Sequence, residues 1–237
     1  MFMNGEKMNK IISMSVWGTN PRYIVGAKRQ IELAQKYYND WKVRIYTDDT
    51  SHYENLDVET ILVNDRSYGM FWRFLPLFES EDSIIMVRDS DSRITIRETK
   101  AIQEWLQSDK KFHLFRDHEA HFEFPIIGCA FALKGRLSDQ SFQAMQNYQK
   151  VHKYLVDQFY LRDIVYPEIQ NNVLIHTMEF GWFGETRSKL INPYSFCGNG
   201  YDENDMPLYG TTLKECKDFN PSKLSSVYKF DEGIFHE

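Results

Sequence analysis

Two aspartates stand where the sequence changes from an apolar run to a charged loop. Asp89 and Asp91, separated by Ser90, follow the stretch SIIMV at 83–87. Side chains alternate along an extended backbone, so the two carboxylates point the same way and can share one divalent cation or its waters. Such a cation suits phosphate oxygens and acts as a Lewis acid on a diphosphate leaving group. The pattern therefore predicts metal-assisted chemistry on a nucleotide-diphosphate substrate.

The Asp-x-Asp spacing is weak evidence by itself, because roughly one such triplet is expected by chance in a chain with this many aspartates. Its position favours a ligand site, since α/β sheets bind ligands at the carboxyl ends of their strands. The alternative is a solvated turn in which Asp89 and Asp91 pair with Arg88 and Arg93. The sequence context leaves both interpretations open.

The familiar phosphate-binding loops are absent from the sequence. The first predicted strand leads into WGTNP at 17–21, with one glycine where a dinucleotide-binding fingerprint needs three. No GxxxxGK[ST] motif occurs. If a nucleotide binds, aromatic stacking and the cation must replace the glycine cradle.

Three histidines, His113, His118 and His121, surround the end of a predicted strand without forming a zinc motif. Structural zinc sites usually contain thiolates, and the sequence has no HExxH. His118 directly follows Asp117, so we expect the pair to face the same crevice as the Asp-x-Asp. His118 is then a candidate to contact the nucleotide ligand. The alternative is that the two residues form a simple hydrogen-bonded pair in a loop. His176 is either a further metal ligand or a structural histidine.

Three other polar residues lie among aromatic and apolar neighbours. Arg73, in the stretch MFWRF, either clamps phosphate or covers an aromatic cluster. Asp157 lies on a predicted helix with several apolar positions, so it is either solvated or aimed inward for function. Gln158, beside it, is a candidate to contact the nucleotide ligand.

Strand-like runs alternate with helix-like ones, which predicts an α/β layered fold. We expect strands at 10–16, 42–47, 58–63, 83–87, 111–116, 126–133 and 172–176. Helical patterns occupy 21–38, 69–78, 95–107, 138–151 and 153–165, where Thr95 and Glu98 predict a capping box, Pro76 an interruption and Pro167 a helix end. No linker or repeat is visible. We therefore expect a single domain spanning 1–237, with 1–9 and about 206–237 peripheral.

The composition excludes several classes of protein. The 237 residues carry 28 basic and 34 acidic side chains, and this net charge of −6 argues against nucleic-acid binding. The hydrophobic fraction of 42% is enough for a core. The three cysteines form no CxxC, which favours a reducing compartment. Without a signal-like segment or a long apolar run, we expect a cytoplasmic protein with no transmembrane helix.

Ordered blocks of the sequence resemble a group of GT-A fold glycosyltransferases found in bacteria, eukaryotic microbes and large DNA viruses of algae. The blocks, between about residues 12 and 205, are WGTNPRYIVGA, WKVRIYTDD, MFWRFLPL, VRDSDSR, ETKAIQEWLQSDKKFHLFRDH, PIIGCAFALKG, DQFYLRDIVYP, LIHTMEF and FCGNGYDEND. The resemblance implies a GT-A fold, a Rossmann-like mixed sheet flanked by helices. It also implies transfer of a sugar from a UDP- or GDP-linked donor to a glycan or other hydroxyl acceptor.

The resemblance further implies Mn²⁺ or Mg²⁺ on the diphosphate of the donor. Asp91 would ligate the metal, Asp89 would contact the ribose or a metal-bound water, and His176 would complete the coordination. Related sequences often carry an acid after this histidine, where Thr177 stands.

The donor itself would be held by residues from three parts of the chain. Ser15, Val16 and Trp17 would contact the base and ribose. The helix start at Tyr23 would contact phosphate, and Gly128 would let the backbone approach the sugar. Related sequences often carry Gly-Gly where Gly128 and a cysteine stand, which leaves the identity of the sugar open.

Glycosyl transfer passes through an oxocarbenium-like state, so the protein must stabilise a departing nucleoside diphosphate and present an acceptor hydroxyl. The metal, with Arg73 or Arg88, would do the first. An inverting enzyme also needs a base, for which Asp117 and Asp157 are the candidates, whereas a retaining enzyme can do without one. The sequence does not decide between these outcomes.

Two other classes of function compete with this interpretation. A sugar-phosphate nucleotidyltransferase would use the same cation, but the chain has no Gly-rich Lys/Arg loop after the first strand. A carbohydrate-binding protein with a structural Ca²⁺ is compatible with the aromatic fraction of 15%.

Overall fold

The computed structural model describes residues 8–64, 69–118, 121, 123–151, 153–177, 186–188 (backbone only) and 196–208. The described strands form one sheet, in the order β3-β2-β1-β4-β6-β5-β7-β8. Strand β6 runs antiparallel to both of its neighbours, and the other pairs are parallel. The strands are β1 (Asn9–Val16), β2 (Lys42–Thr47), β3 (Glu59–Leu62), β4 (Ser83–Arg88), β5 (Phe112–Arg116), β6 (Ala130–Lys134), β7 (Val173–Thr177) and β8 (Thr186–Ser188).

Helices cover both faces of the sheet. They are α1 (Pro21–Tyr37), α2 (Gly69–Trp72), α3 (Ile96–Gln107), α4 (Asp139–Tyr148), α5 (Val156–Tyr160) and α6 (Tyr166–Ile169), with short 3₁₀ helices at Thr50–Tyr53 and Leu75–Phe78 and a π-helical turn at Leu161–Val165. The predicted mixed α/β sheet flanked by helices is therefore confirmed. No helix in the described part of the chain has the length and apolar character needed to cross a membrane.

The helix starts follow the capping rules. Asn20 precedes α1 and its side chain accepts a hydrogen bond from the Arg22 N–H, while a proline occupies the first turn. Thr95 caps α3 by accepting from the Glu98 N–H at 3.1 Å. The predicted capping box is only half formed, because the Glu98 carboxylate pairs with Arg88 instead of turning back to the cap.

Two hydrophobic cores lie on opposite faces of the sheet, and β4 contributes to both. Ile85 and Val87 face the core covered by α4, α5 and α6. Ile84 and Met86 face the core covered by α1 and α3. This alternation explains the continuous apolar run of β4, since a central strand covered by helices on both faces has no polar side.

Two predicted boundaries are wrong, and one strand was not predicted. Strand β6 begins at Ala130, because residues 126–129 form turns that approach the sheet edge. The helix expected to end before Pro167 continues to Ile169. The Tyr166 N–H donates to the Leu161 carbonyl in a widened turn, so the proline enters a first-turn position that needs no N–H. Strand β8 carried no periodic signal, and residues 209–237, predicted to be peripheral, lie outside the described part of the chain.

The strand order creates one crevice at the carboxyl edge of the sheet. From β1 the chain passes through α1 to β2 on one side, whereas β4 pairs with the other side of β1. Such a reversal of strand order opens a cleft beyond the strand ends, where α/β sheets bind ligands. The segment before β6 reaches the same edge because Ala130 pairs with Arg88, the last residue of β4.

Candidate active site

The two predicted acids lie beside each other at the end of β4, each paired with an arginine. The Asp91 side chain is 9% exposed and pairs with Arg22, at the start of α1. The Asp89 side chain is 38% exposed and lies 3.2 Å from the Arg73 guanidinium. Burial raises the pKa of Asp91, the neighbouring Asp89 raises it further, and Arg22 opposes both effects. The solvated-turn alternative named the wrong arginines, although its expectation that the acids are ion-paired is correct.

Helix α1 fixes the loop that carries the acids. A Cβ added to Gly26 would lie 2.5 Å from the Ser90 carbonyl oxygen, so only glycine permits this approach. The Gln30 amide donates to the Ser92 hydroxyl at 2.7 Å and to the Asp89 carbonyl at 3.3 Å. The loop is therefore held by backbone packing and by a buried amide, independently of any ligand.

Arg73 joins the acidic loop to the first turn of α5. Its guanidinium is buried, lies 2.9 Å from Asp157 and also contacts Asp89. Burial raises the pKa of Asp157, and the charge of Arg73 opposes that shift. Gln158 donates to Asp157 at 3.2 Å and accepts from the Gly128 N–H at 3.2 Å. A Cβ on Gly128 would lie 2.6 Å from the Arg73 guanidinium and 2.8 Å from the Gln158 amide, so a side chain here would displace these groups.

The end of β1 borders the other side of the crevice. Ser15 and Val16 are buried, and the Ser15 hydroxyl has no hydrogen-bond partner among the described residues. Trp17 is 37% exposed and packs edge-on against Trp72, with ring centroids 6.1 Å apart. After Trp17, the Gly18 N–H donates to both oxygens of the Asp48 carboxylate at 3.0 and 3.2 Å. An unsatisfied hydroxyl at the end of β1, followed two residues later by an exposed indole, suits a polar planar ligand.

An exposed tyrosine, Tyr23, lies near the acids, and a second, Tyr154, lies near Tyr23. Tyr23 is 37% exposed, and Tyr154 is 83% exposed. Burial raises the pKa of Tyr23, Arg22 lowers it, and the acids Asp91 and Asp89 raise it further. The predicted helix-start residue Tyr23 is therefore within electrostatic reach of the Asp-x-Asp.

Residues 196–208, which we call the covering segment, pack over the acidic loop. The Tyr201 N–H donates to the Asp91 carbonyl at 2.9 Å. Asp205 binds Arg93 at 2.8 Å and Arg29 at 3.2 Å, so it links the loop to α1. Arg93 is thus used to hold this segment and does not pair with the carboxylates of the loop.

Arg88, predicted to contact the departing diphosphate, is not in the crevice. Its side chain is 1% exposed and binds Glu98 through Nε and Nη2 at 2.9 and 2.8 Å. It also donates to the carbonyls of Val87 and Phe131. That prediction is wrong, because Arg88 and Glu98 form a closed ion pair between β4 and α3.

Asp117, predicted as a catalytic base, is also used inside the fold. Arg97 binds both of its oxygens, one of them at 2.6 Å, and the Cys197 N–H donates to it at 3.1 Å. Both side chains of this pair are 1% exposed. The structure therefore corrects this prediction to a structural anchor. His118, expected beside it in the crevice, stacks on Phe196 with ring centroids 4.4 Å apart.

His176 does not lie with the acids of β4, because β6 and β5 separate its strand from β4. Its Nδ1 lies 2.8 Å from Nε2 of His113, and its Nε2 lies 3.1 Å from the Glu104 carboxylate. With both ring nitrogens used, His176 has none left for a metal ion. The predicted third metal ligand is wrong, and the structural-histidine alternative holds.

The buried histidines make stability depend on pH. Burial lowers the pKa of His113 and His176, with Glu104 partly opposing the shift at His176, and lowers that of His121 to about 4. These groups stay neutral in the folded protein and protonate on unfolding. The free energy of unfolding should therefore be steady above about pH 6.5 and fall below it, by up to about 1.4 kcal/mol per pH unit for each histidine.

Urea unfolding between pH 7.5 and 5.5 measures this slope. His121→Asn retains an acceptor for the Asp117 N–H that now bonds to the ring at 3.1 Å, and should reduce the slope. His52→Gln, changed at a half-exposed histidine, should leave it unaltered. A free energy of unfolding that stays constant over this range would contradict the expectation.

The donor set suits a hard divalent cation that keeps most of its own waters. Asp89 and Asp91 offer carboxylate oxygens beside each other, and in the described part of the chain no group of three or more His, Cys, Asp or Glu residues could hold a metal. Mg²⁺ is usually bound by one or two carboxylates, with waters and phosphate oxygens completing the shell. The residues present therefore fit Mg²⁺ or Mn²⁺ bound together with a phosphate ligand.

Sequence reasoning missed three features of the site. Arg22, the partner of Asp91, had no motif to indicate it beyond its place in the first turn of α1. Asp48 binds the Gly18 N–H, and the two adjacent acids Asp48 and Asp49 at the end of the predicted strand could have indicated it. The packing of the covering segment depends on long-range contacts that leave no local pattern.

No family model matches the chain, and no curated protein matches it. Solved structures that resemble it include a glycosyltransferase involved in glycosylation of the major capsid of PBCV-1, 16% identical with a TM-score of 0.43, covering 72% of this chain and 82% of that one. Another is glucosyl-3-phosphoglycerate synthase from Mycobacterium tuberculosis in complex with Mn²⁺ and UDP-glucose, 10% identical with a TM-score of 0.46, covering 78% and 72%.

A third is 4-diphosphocytidyl-2C-methyl-D-erythritol synthase from Anaerococcus prevotii, 10% identical with a TM-score of 0.44, covering 76% of this chain and 91% of that one. The resemblance is thus to glycosyltransferases and to a nucleotidyltransferase. At these values of identity and TM-score, it does not assign the chain to a family.

Proposed function

We propose that this protein is a metal-dependent glycosyltransferase that moves a sugar from a UDP- or GDP-linked donor to a glycan or a small hydroxyl acceptor. One observation carries the proposal: two adjacent carboxylates end a buried central strand at the reversal point of the sheet, beside an exposed indole and an unsatisfied serine hydroxyl. Cation ligands and an exposed aromatic face therefore border one crevice.

In this proposal, Asp91 and Asp89 hold Mn²⁺ or Mg²⁺, which neutralises the charge that develops on the departing nucleoside diphosphate. Trp17 presents a face on which a base can stack, and base–aromatic stacking is worth about 1–3 kcal/mol. Ser15 supplies a buried hydroxyl at the end of β1 for the base or the ribose. The covering segment and α1 hold the acidic loop in place before the donor arrives.

The acceptor side of the crevice is assigned to the Arg73 cluster. Arg73 keeps the buried Asp157 close to Asp89, and Gln158 connects Asp157 to the Gly128 backbone. With Asp117 removed from consideration, Asp157 stays the candidate for the group that accepts a proton from the acceptor hydroxyl. Its raised pKa matches that role, since a base works best with a pKa close to the operating pH.

Binding of nucleoside diphosphates tests the proposal directly. UDP or GDP with Mn²⁺ should raise the free energy of unfolding by about 2.7 kcal/mol at a hundredfold excess over Kd, and the shift should disappear with EDTA. Thermal unfolding with each nucleotide, with and without Mn²⁺, measures this. A protein that binds free glycan but shows no metal-dependent shift with either nucleotide would be a carbohydrate-binding protein instead.

A further inference from the structure

Arg22 occupies the carboxylate that the proposed function gives to a metal ion. Its Nη2 binds Oδ2 of Asp91. An arginine stays protonated in proteins, so this carboxylate has a permanent organic cation beside it. The Arg22 side chain is 31% exposed, whereas that of Asp91 is 9% exposed. The pair therefore has one fixed, buried member and one member that reaches in from the surface.

The surroundings of the pair place the Arg22 guanidinium between the start of α1 and the covering segment. Its backbone belongs to the first turn of α1, which the Asn20 side chain caps. Its guanidinium lies 5.2 Å from the centre of the Tyr23 ring. A Cβ on Gly200 would lie 3.2 Å from Arg22 and 3.4 Å from Asp91, so the covering segment closes one side. A guanidinium that leaves Asp91 therefore has a short path to a ligand bound beside this carboxylate.

The charges of the cluster give a reason for such a move. Asp89, Asp91 and Asp157 carry three negative charges, and Arg22 and Arg73 carry two positive ones, so the cluster has a net charge of −1 with all carboxylates ionised. A divalent ion on Asp91 reverses this sign and repels the adjacent guanidinium. A diphosphate bound to that ion is then the nearest anion, and guanidinium matches phosphate geometry well.

We propose that Arg22 exchanges partners: it binds Asp91 when no cation is present and binds the diphosphate of the donor when a divalent cation occupies Asp91. This inference rests on the proposed function. Arg22 then weakens binding of the metal ion and strengthens binding of the nucleoside diphosphate. A single substitution at Arg22 should therefore shift the two affinities in opposite directions.

Calorimetric titration of Mn²⁺ alone, followed by UDP and GDP at saturating Mn²⁺, separates the two effects. Arg22→Met should bind Mn²⁺ about five- to tenfold more tightly than the wild type, because a competing positive charge is gone. The same variant should bind the nucleoside diphosphate about tenfold or more weakly, because a charged hydrogen bond is lost. Lys36→Met is the matched control, since Lys36 is an exposed cation in the last turn of the same helix, whereas Arg22 lies in the first turn. Both of its affinities should stay unchanged.

A second measurement avoids any effect of the substitution on folding. Mg²⁺ added to the wild-type protein should shift the Arg22 Nε–Hε NMR signal, identified by its loss in Arg22→Lys, and should leave the Arg88 signal in place. The exchange is overturned if Arg22→Met binds Mn²⁺ as tightly as the wild type or more weakly. It is also overturned if Mg²⁺ does not shift the Arg22 signal. If the wild type nevertheless binds Mn²⁺ with UDP or GDP, the proposed function survives. If the wild type binds neither nucleotide with Mn²⁺, both proposals fail.

Discussion

Replacing Asp91 with asparagine is expected to reduce Mn²⁺-dependent hydrolysis of UDP- and GDP-sugars by about 10²- to 10³-fold. The amide keeps the size of the side chain but removes the charge that holds the cation, and loss of one preorganised electrostatic contact typically costs this much. Folding should be little affected, because the partner Arg22 is part-exposed and can be hydrated. Initial rates of nucleotide release, measured over a series of Mn²⁺ concentrations, give the comparison.

Asp82→Asn is the matched control for this experiment. Asp82 is exposed and immediately precedes β4, so it has the same residue type at the opposite end of the same strand. Its replacement should leave turnover within a factor of about two. If Asp91→Asn leaves the turnover of every UDP- and GDP-sugar unchanged, the metal assignment is wrong.

The largest effect on stability is expected at Asp117. Asp117→Asn leaves the Arg97 guanidinium buried without its counter-charge, and breaking a buried ion pair in this way costs about 3–5 kcal/mol. Adding Arg97→Met should recover much of that loss, because the double variant buries no unpaired charge. Equilibrium unfolding of the wild type, both single variants and the double variant completes the cycle.

The same variants separate a structural role for Asp117 from a catalytic one. The double variant should recover turnover along with stability if Asp117 only anchors Arg97 and the Cys197 N–H. Asp157→Asn should instead lower turnover and alter the pH–rate profile, because that carboxylate borders the crevice. A stable Asp117→Asn protein without activity would restore Asp117 as the base.

Local patterns predicted the elements that position the site. The apolar run of β4, the proline and periodicity of α1 and the change to charged residues at Asp89 are short-range signals, and the structure has each where expected. The boundaries failed where distant contacts decide. The turns at 126–129 resemble a strand in sequence because their apolar residues Ile126 and Ile127 are buried in the core that α5 covers.

The partners of charged residues could not be predicted in the same way. Arg88 and Arg73 both follow apolar residues, yet one is enclosed with Glu98 and the other borders the crevice. The difference depends on which strand end and which helix face meet in space. His176 illustrates the same point, since its assignment followed a resemblance while its hydrogen bonds follow from the position of Glu104 on α3.

The reversed direction of β6 affects how this architecture can vary. The chain leaves the sheet after β5 and re-enters it at β6 along one edge, so the intervening stretch begins and ends at the mouth of the crevice. Insertions there need not lengthen, shift or re-pair any strand. Insertions between Arg116 and Ala130 can therefore change the surface at the mouth of the crevice during evolution, while the pairing of the strands stays the same.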